Sequence, residues 1–283
     1  MNTDSSSVFT NRYLVLISWI VFGVTFSAAF FNVLSGLIST WYGSDDHSHG
    51  FAIVPISLYI VWCKKEDLRR EIVHGSWVGL FVSIVSVLGY LLADKAEMVT
   101  LTSISMVINV WGAVIFFFGF RIFFKCIFPL TLLFLMIPVP SQIIAALTIP
   151  LQLIVTKVSV MLASIIAIPV YREGNVINLP GGTFEVVQAC SGLRSIMTML
   201  TLGAVISYFT LRSNLLRSIL FTSGIPIAIA ANIFRVLILM TSLHYLNINL
   251  SEGTPHTILG IAVFGVAVGL FLLLRQGLVR WQK

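Results

Sequence analysis

"QIIAALTIPLQLIVTKVSVMLASIIAI", residues 142–168, decides the fold. The stretch is long and apolar enough to cross a bilayer, which takes about 20 residues. Yet Gln142, Thr148, Gln152, Thr156 and Ser159 recur at spacings near a helical turn, with Lys157 beside them. That stripe predicts an amphipathic helix lying at the interface, against protein or headgroups. Counting it as a span would reverse the side of everything that follows.

The rest of the chain sets the context. It is 58% hydrophobic and only 10% charged, where a soluble domain carries roughly a quarter charged residues. Its solvent is therefore lipid. The remaining candidate spans are 13–38, 50–62, 76–93, 99–119, 122–137, 190–210, 218–243 and 256–275. Of these, 50–62 is short and reaches full length only if His47–Gly50 form its first turn. The expected fold is all-α and polytopic, with about eight transmembrane helices and residues 142–168 as an interfacial helix. Residues 1–12 read as a polar cytoplasmic tail, 13–275 as a single transmembrane domain and 276–283 as a second cytoplasmic tail. The apolar run after residue 12 lacks a small-residue cleavage pattern and reads as a retained helix.

Charge orients these spans. With the N-terminus inside, the inner segments hold Arg12, Lys64, Lys65, Arg69, Arg70, Arg121, Lys125, Arg212, Arg217, Arg275, Arg280 and Lys283. Only Lys95, Lys157 and Arg172 fall in the opposite loops. The positive-inside rule then puts both termini in the cytoplasm. It also accounts for the net charge of +6 without any nucleic-acid partner. The outer side holds "WYGSDDHSHG" (41–50) and "VYREGNVINLPGGTFEVV" (170–187). The second alternates apolar and polar residues around a Pro-Gly-Gly turn and predicts a small extracytoplasmic hairpin.

Two arginines have no place in this ledger. Arg194 and Arg235 fall inside predicted spans, where an ionisable group is costly and marks a functional site by default. Arg194 follows Cys190 by four residues, a spacing that shares one helix face. The polar octet "QACSGLRS" (188–195) opens that span, and "GTPHTILG" (253–260) opens the last one. Cys190, Arg235 and His256 thus lie in the outward parts of three consecutive spans. A thiol there can act as a nucleophile, a histidine can move protons and an arginine can hold an oxyanion. A helix N-terminus and a nearby guanidinium both favour the thiolate. The alternative is packing: Cys63, Cys126 and Cys190 are far apart and form no disulfide or CxxC pattern, and His256 can be a helix-start residue only.

"EVVQACSGLRSIMTMLTLG", "ANIFRVLILM" and "GTPHTILGIAVF", in that order, resemble the exosortase/archaeosortase family of membrane cysteine transpeptidases. "DDHSHGFAIVPISLYIVW" is similar to the family's early His-Gly segment, and "REGNVINLPGGTFEVV" to its stretch before the cysteine. The likeness covers about residues 40–275. It implies a protein-sorting enzyme, of the bacterial branch by its histidine. Such an enzyme sits in the cytoplasmic membrane with its active site outside, and needs no cofactor. Its partners would be exported proteins with a C-terminal signal: a PEP-CTERM-like motif, a transmembrane helix and a basic tail. The cleaved product passes to an acceptor or to water. The implied roles are Cys190 as nucleophile, Arg235 as oxyanion stabiliser and His256 as general acid and base. Arg194, His49, Ser191, Gly192 and Asn232 would support substrate binding.

Two rivals stay open at this stage. Arg194 and Arg235 could be anion sites of a transporter, although the halves of the chain show no repeat. His47 and His49 could join His256 on a metal, although no H-E-x-x-H helix accompanies them and no metal is expected.

Overall fold

A computed structural model describes residues 17, 20–44, 47–180, 182–185, 192–251 and 253–282. The chain is an all-α polytopic membrane protein with one small sheet. Among the described residues, six helices are long and apolar enough to cross a membrane, or seven if one bent pair forms a single span. The chain divides into two compact units, Met1–Pro138 and Val139–Lys283.

In the first unit the predicted span 13–38 is broken. Helices α1 (Ile20–Ala29) and α2 (Phe31–Gly43) meet at a 68° bend. Phe30 sits at that break, buried, with its ring 5.0 Å from those of Phe26 and Tyr90. The next predicted span is α3 (Gly50–Cys63), too short to cross by itself, followed by the five-residue α4 (Lys65–Arg69).

Helices α5 (Trp77–Lys95) and α6 (Val99–Lys125) form a tight antiparallel hairpin built on small residues. A Cβ on Gly79 would stand 2.1 Å from the Phe116 amide nitrogen, and one on Gly112 would stand 2.4 Å from Ser83 Oγ. Asn109 closes the seam by donating to Ser86 Oγ at 2.9 Å. Lipid offers no hydrophobic force between helices, so backbone proximity and such bonds hold them together.

The boundary expected near residue 120 is present as a kink. Gly119 has φ +80°, and α6 resumes beyond it. A Cβ there would strike the His74 carbonyl oxygen at 2.0 Å, so the position requires glycine. The predicted span 122–137 is instead the end of α6, the short α7 (Ile127–Leu132) and a 3₁₀ turn, Leu133–Met136.

The second unit is organised around α10 (Asn214–Leu246), which packs on α8 (Ser141–Ile165), α9 (Leu193–Thr210) and α11 (Gly253–Trp281). Helix α8, expected at the interface, is by length and composition also among the described helices long and apolar enough to cross. Its hydroxyl-bearing positions face inward, while Gln142 and Lys157 are exposed. Thr148, Thr156 and Ser159 are buried, and Ser159 Oγ donates to the Ile233 carbonyl of α10 at 3.2 Å. Ile143, Leu147, Ile154 and Met161 are exposed instead. In lipid the hydroxyls seek protein and the apolar side chains face outward, reversing the pattern of a helix lying in water.

The predicted hairpin is a three-stranded antiparallel sheet, β1 (Tyr171–Glu173), β2 (Val176–Leu179) and β3 (Gly182–Glu185) in that order. Alternation on β2 buries Ile177 and Leu179 in a core with Val155, Ala163, Val236 and Met240. Glycines again set the helix spacing. A Cβ on Gly224 of α10 would approach the Met199 carbonyl of α9 to 3.2 Å, and one on Gly203 would meet Phe221 Cα and Phe271 at 3.3 Å.

Candidate functional site

Helix α11 begins at Gly253, whose φ of +66° turns the chain into the helix. Pro255 occupies the first turn, where its missing N–H costs no helical bond. His256 follows, half-buried. Arg235 reaches it from α10, with Nη2 2.7 Å from His256 Nε2 and 3.3 Å from the His256 carbonyl oxygen.

The roles in this pair follow from donor chemistry. Guanidinium nitrogens carry only donors, so Nε2 must accept. The hydrogen then sits on Nδ1 and is donated to the Leu250 carbonyl oxygen, 3.3 Å away. This assigns the imidazole as neutral, with its Nε2 lone pair held by the arginine. The guanidinium lies close over Gly260, where an added Cβ would be 3.1 Å from Nη2 and 3.2 Å from Cζ. Its Nε is buried with no hydrogen-bond partner. The partners that Arg235 has are an imidazole nitrogen and a carbonyl oxygen, with no described carboxylate among them. A guanidinium with these partners among the described residues is suited to an anion or a developing oxyanion.

Asn232 stands one turn before Arg235 on α10 and is buried, 5% exposed. It packs against Gly192, whose φ is +83° at the start of α9. A Cβ on Gly192 would lie 3.2–3.3 Å from Asn232 Cβ, Cγ and Nδ2. Gly192, Asn232, Arg235 and His256 therefore occupy one locality, where the starts of α9 and α11 meet the middle of α10. Cys190 and Ser191 lie outside the described residues. Arg194 is in the first turn of α9 and exposed, and its carbonyl accepts from Thr198 Oγ1 at 3.0 Å.

His49 belongs to the first unit. Its Nε2 donates to the Leu135 carbonyl oxygen at 3.1 Å, while Trp41 Nε1 donates to the Met136 carbonyl oxygen at 2.9 Å. Both bonds fasten the 41–50 segment to the 3₁₀ turn. Gly50 leaves room for Trp41, since a Cβ would be 2.3 Å from the indole nitrogen. The His-Gly pair thus has a structural role in the structure. His47 is half-buried. Among the described residues no group of three His, Cys, Asp or Glu side chains is arranged to hold a metal ion, and Asp45 and Asp46 lie outside them.

Sequence reasoning missed Gly260, Leu250 and Trp41. Only Gly260 had a signal: it follows His256 by four residues and so shares its helix face. The family model described as "Transmembrane exosortase" matches residues 41–273. No curated protein and no solved structure gives a significant match.

Proposed function

We propose that this chain, which belongs to the transmembrane exosortase family, is a membrane protein-sorting cysteine transpeptidase. Its substrates are exported proteins that end in a PEP-CTERM-like motif, a transmembrane helix and a basic tail. The two compact units together form one functional domain over 13–275, with cytoplasmic tails at 1–12 and 276–283. It sits in the bacterial cytoplasmic membrane with its site facing outward.

The observation that carries this reading is the Arg235–His256 pair. A guanidinium without a described carboxylate partner holds a neutral imidazole at 2.7 Å. The pair lies one turn from the contact between Asn232 and Gly192, and Cys190 precedes Gly192 by two residues in the sequence.

The chemistry follows from residue types. The Cys190 thiol gives its proton to the neutral His256 imidazole, the thiolate attacks a substrate peptide carbonyl, and Arg235 stabilises the oxyanion that forms. The C–N bond breaks as an acyl–sulfur bond forms, and the His256 imidazolium protonates the leaving amine. An acceptor amine or water then attacks the thioester, gives its proton to His256 and releases the thiolate. Arg194, Ser191, Gly192 and Asn232 shape and orient the nucleophile's segment, and His49 braces the outer loop of the first unit.

Co-expression of a tagged substrate of this kind with wild type and with Cys190→Ala tests the reading. Processing by wild type and its loss in the variant, with equal membrane insertion of both, is expected. Unchanged processing by Cys190→Ala would overturn the nucleophile assignment, and loss of wild-type activity on chelation would favour a metalloenzyme.

A further inference from the structure

The opposite ends of α9, α10 and α11 line an open cavity of about 660 Å³. About 25 residues of α11 separate it from His256, roughly 38 Å along a helix. Arg212, Arg217, Tyr208, Val279 and Gln282 are among its walls. The distribution of basic residues puts this end on the cytoplasmic side.

The cavity is built rather than incidental. Gln282, at the end of α11, ties the turn between α9 and α10. Its Oε1 accepts from the Arg212 amide at 3.0 Å, and its Nε2 donates to the Thr210 carbonyl at 3.1 Å. Arg217 donates from Nε to the Leu211 carbonyl oxygen at 2.8 Å, and its guanidinium carbon lies 5.5 Å from the Tyr208 ring centre. The Arg212 side chain is exposed and makes no ion pair among the described residues.

Charge balance sets this end apart. In the first unit, Arg69 pairs with Glu66 at 3.6 Å and Lys125 with Glu71 at 2.6 Å. Residues 193–251 and 253–283 contain no Asp or Glu, yet carry Arg212, Arg217, Arg275, Arg280 and Lys283 at these helix ends. Arg275 lies one turn before Val279, and its buried Nε has no partner. The exposed Arg212 guanidinium offers paired donors to a phosphate. Arg217, whose Nε, Nη1 and Nη2 also donate to Leu211, Asn214 and Tyr208, adds its charge and remaining N–H groups. No carboxylate is among the described lining. The volume is in the range of small-ligand sites. A basic cavity at the cytoplasmic helix ends, with Leu211 and Val279 also in its lining, is where lipid headgroups lie.

We propose that this cavity is a phosphate-binding site, occupied by the headgroup of an anionic phospholipid of the cytoplasmic leaflet or by free phosphate. Arg212 and Arg217 hold the phosphate oxygens, Tyr208 backs Arg217, and Gln282 fixes the loop that carries Arg212. The site is independent of the reaction proposed above.

The test uses the full chain in nanodiscs of phosphatidylcholine with or without phosphatidylglycerol. Phosphatidylglycerol retained after detergent extraction is counted by mass spectrometry. Wild type is expected to retain it, Arg212→Gln to retain about tenfold less, and Arg212→Lys to fall between. Inorganic phosphate, titrated in neutral detergent while melting is followed, separates the two sources. Stabilisation of wild type but not of Arg212→Gln marks free phosphate as an occupant, and stabilisation by the lipid alone marks the headgroup. Equal retention and equal phosphate response in wild type and Arg212→Gln would overturn the site. So would an equal loss in Arg280→Gln, which does not line the cavity and is the control for diffuse charge.

Discussion

Arg235 Nη2 stands 2.7 Å from His256 Nε2, so the arginine holds the lone pair that a general base would use. The imidazole is positioned by both nitrogens, with Nδ1 on the Leu250 carbonyl oxygen. Within the proposed reaction this couples the two groups. When a substrate oxyanion draws the guanidinium away, Nε2 becomes free to take or give a proton.

That coupling separates arginine from lysine. A lysine at position 235 keeps the charge but loses the planar fork that addresses imidazole and oxyanion together. Arg235→Lys is expected to process substrate about 100-fold or more slowly than wild type, in the range for loss of an oxyanion donor. Rates of substrate cleavage in membranes containing equal amounts of each protein check this. Near-wild-type cleavage by the lysine variant would show that charge alone suffices.

Gly260 offers a test that leaves every polar group in place. An alanine Cβ there would press on Arg235 at 3.1–3.2 Å, tighter than ordinary contact, so the guanidinium must shift. Gly260→Ala is expected to lower activity about tenfold while its melting temperature stays close to that of wild type, because the strain falls on a flexible side-chain end. Gly265→Ala, which meets nothing within 4 Å, is expected to behave as wild type in both measurements.

Much of this was legible in residue type, and the exceptions share a cause. Arg235 stood out because lipid makes a buried charge costly, and His256 because it follows a proline at a span's outer end. The all-α membrane fold followed from composition and run length. Hydropathy, however, does not mark where a helix stops inside an apolar run. The bend at Phe30 and the break at Gly119 depend on tertiary contacts with Tyr90 and the His74 carbonyl. The polar stripe of α8 was visible in the sequence, and the burial of Thr148, Thr156 and Ser159 turns those positions toward protein, which periodicity alone does not specify. Gly260 escaped notice because a glycine carries no chemistry of its own.

The junction of Gly192 and Asn232 combines two separable strains. Alanine at 192 would hold a Cβ residue at φ +83°, which costs roughly 1–2 kcal/mol, and would press on Asn232. Gly192→Ala is expected to impair both melting temperature and activity. Adding Asn232→Ala to it removes the Cγ and Nδ2 contacts at 3.3 Å but leaves the Cβ contact and the backbone strain. The double variant is therefore expected to be less damaged than the sum of the singles. Melting curves and cleavage rates for the four proteins check this, and strict additivity would show that the two residues do not interact.

The first unit carries a pH dependence that does not involve the site. The Lys125 ammonium, hydrogen-bonded at 2.6 Å, holds the Glu71 carboxyl below the usual carboxylate range. A carboxylate with a depressed folded value stabilises the protein above its unfolded value, and that contribution is lost as pH falls through the folded one. Wild type is expected to melt higher than Glu71→Gln at neutral pH, and the difference should close as pH drops below about 4.3. Melting temperatures of both proteins from pH 7 to 3 check this. A difference that stayed constant would mean the ion pair adds nothing beyond a neutral hydrogen bond.

The α5–α6 seam distinguishes backbone contact from side-chain contact on a single helix. An alanine Cβ at 79 meets the Phe116 amide nitrogen at 2.1 Å, whereas one at 89 meets only the Ser105 hydroxyl at 3.3 Å. Backbone cannot swing aside as a hydroxyl can, so Gly79→Ala must separate the helices. Separation costs the close packing that holds helices together in lipid, together with the Asn109–Ser86 bond. Gly79→Ala is expected to lose at least the 1–3 kcal/mol typical of overpacking and to be cleaved by protease between the two helices. Gly89→Ala is expected to stay close to wild type. Limited proteolysis and melting in detergent compare the two, and equal behaviour of both variants would mean that helix proximity at Gly79 does not hold this hairpin.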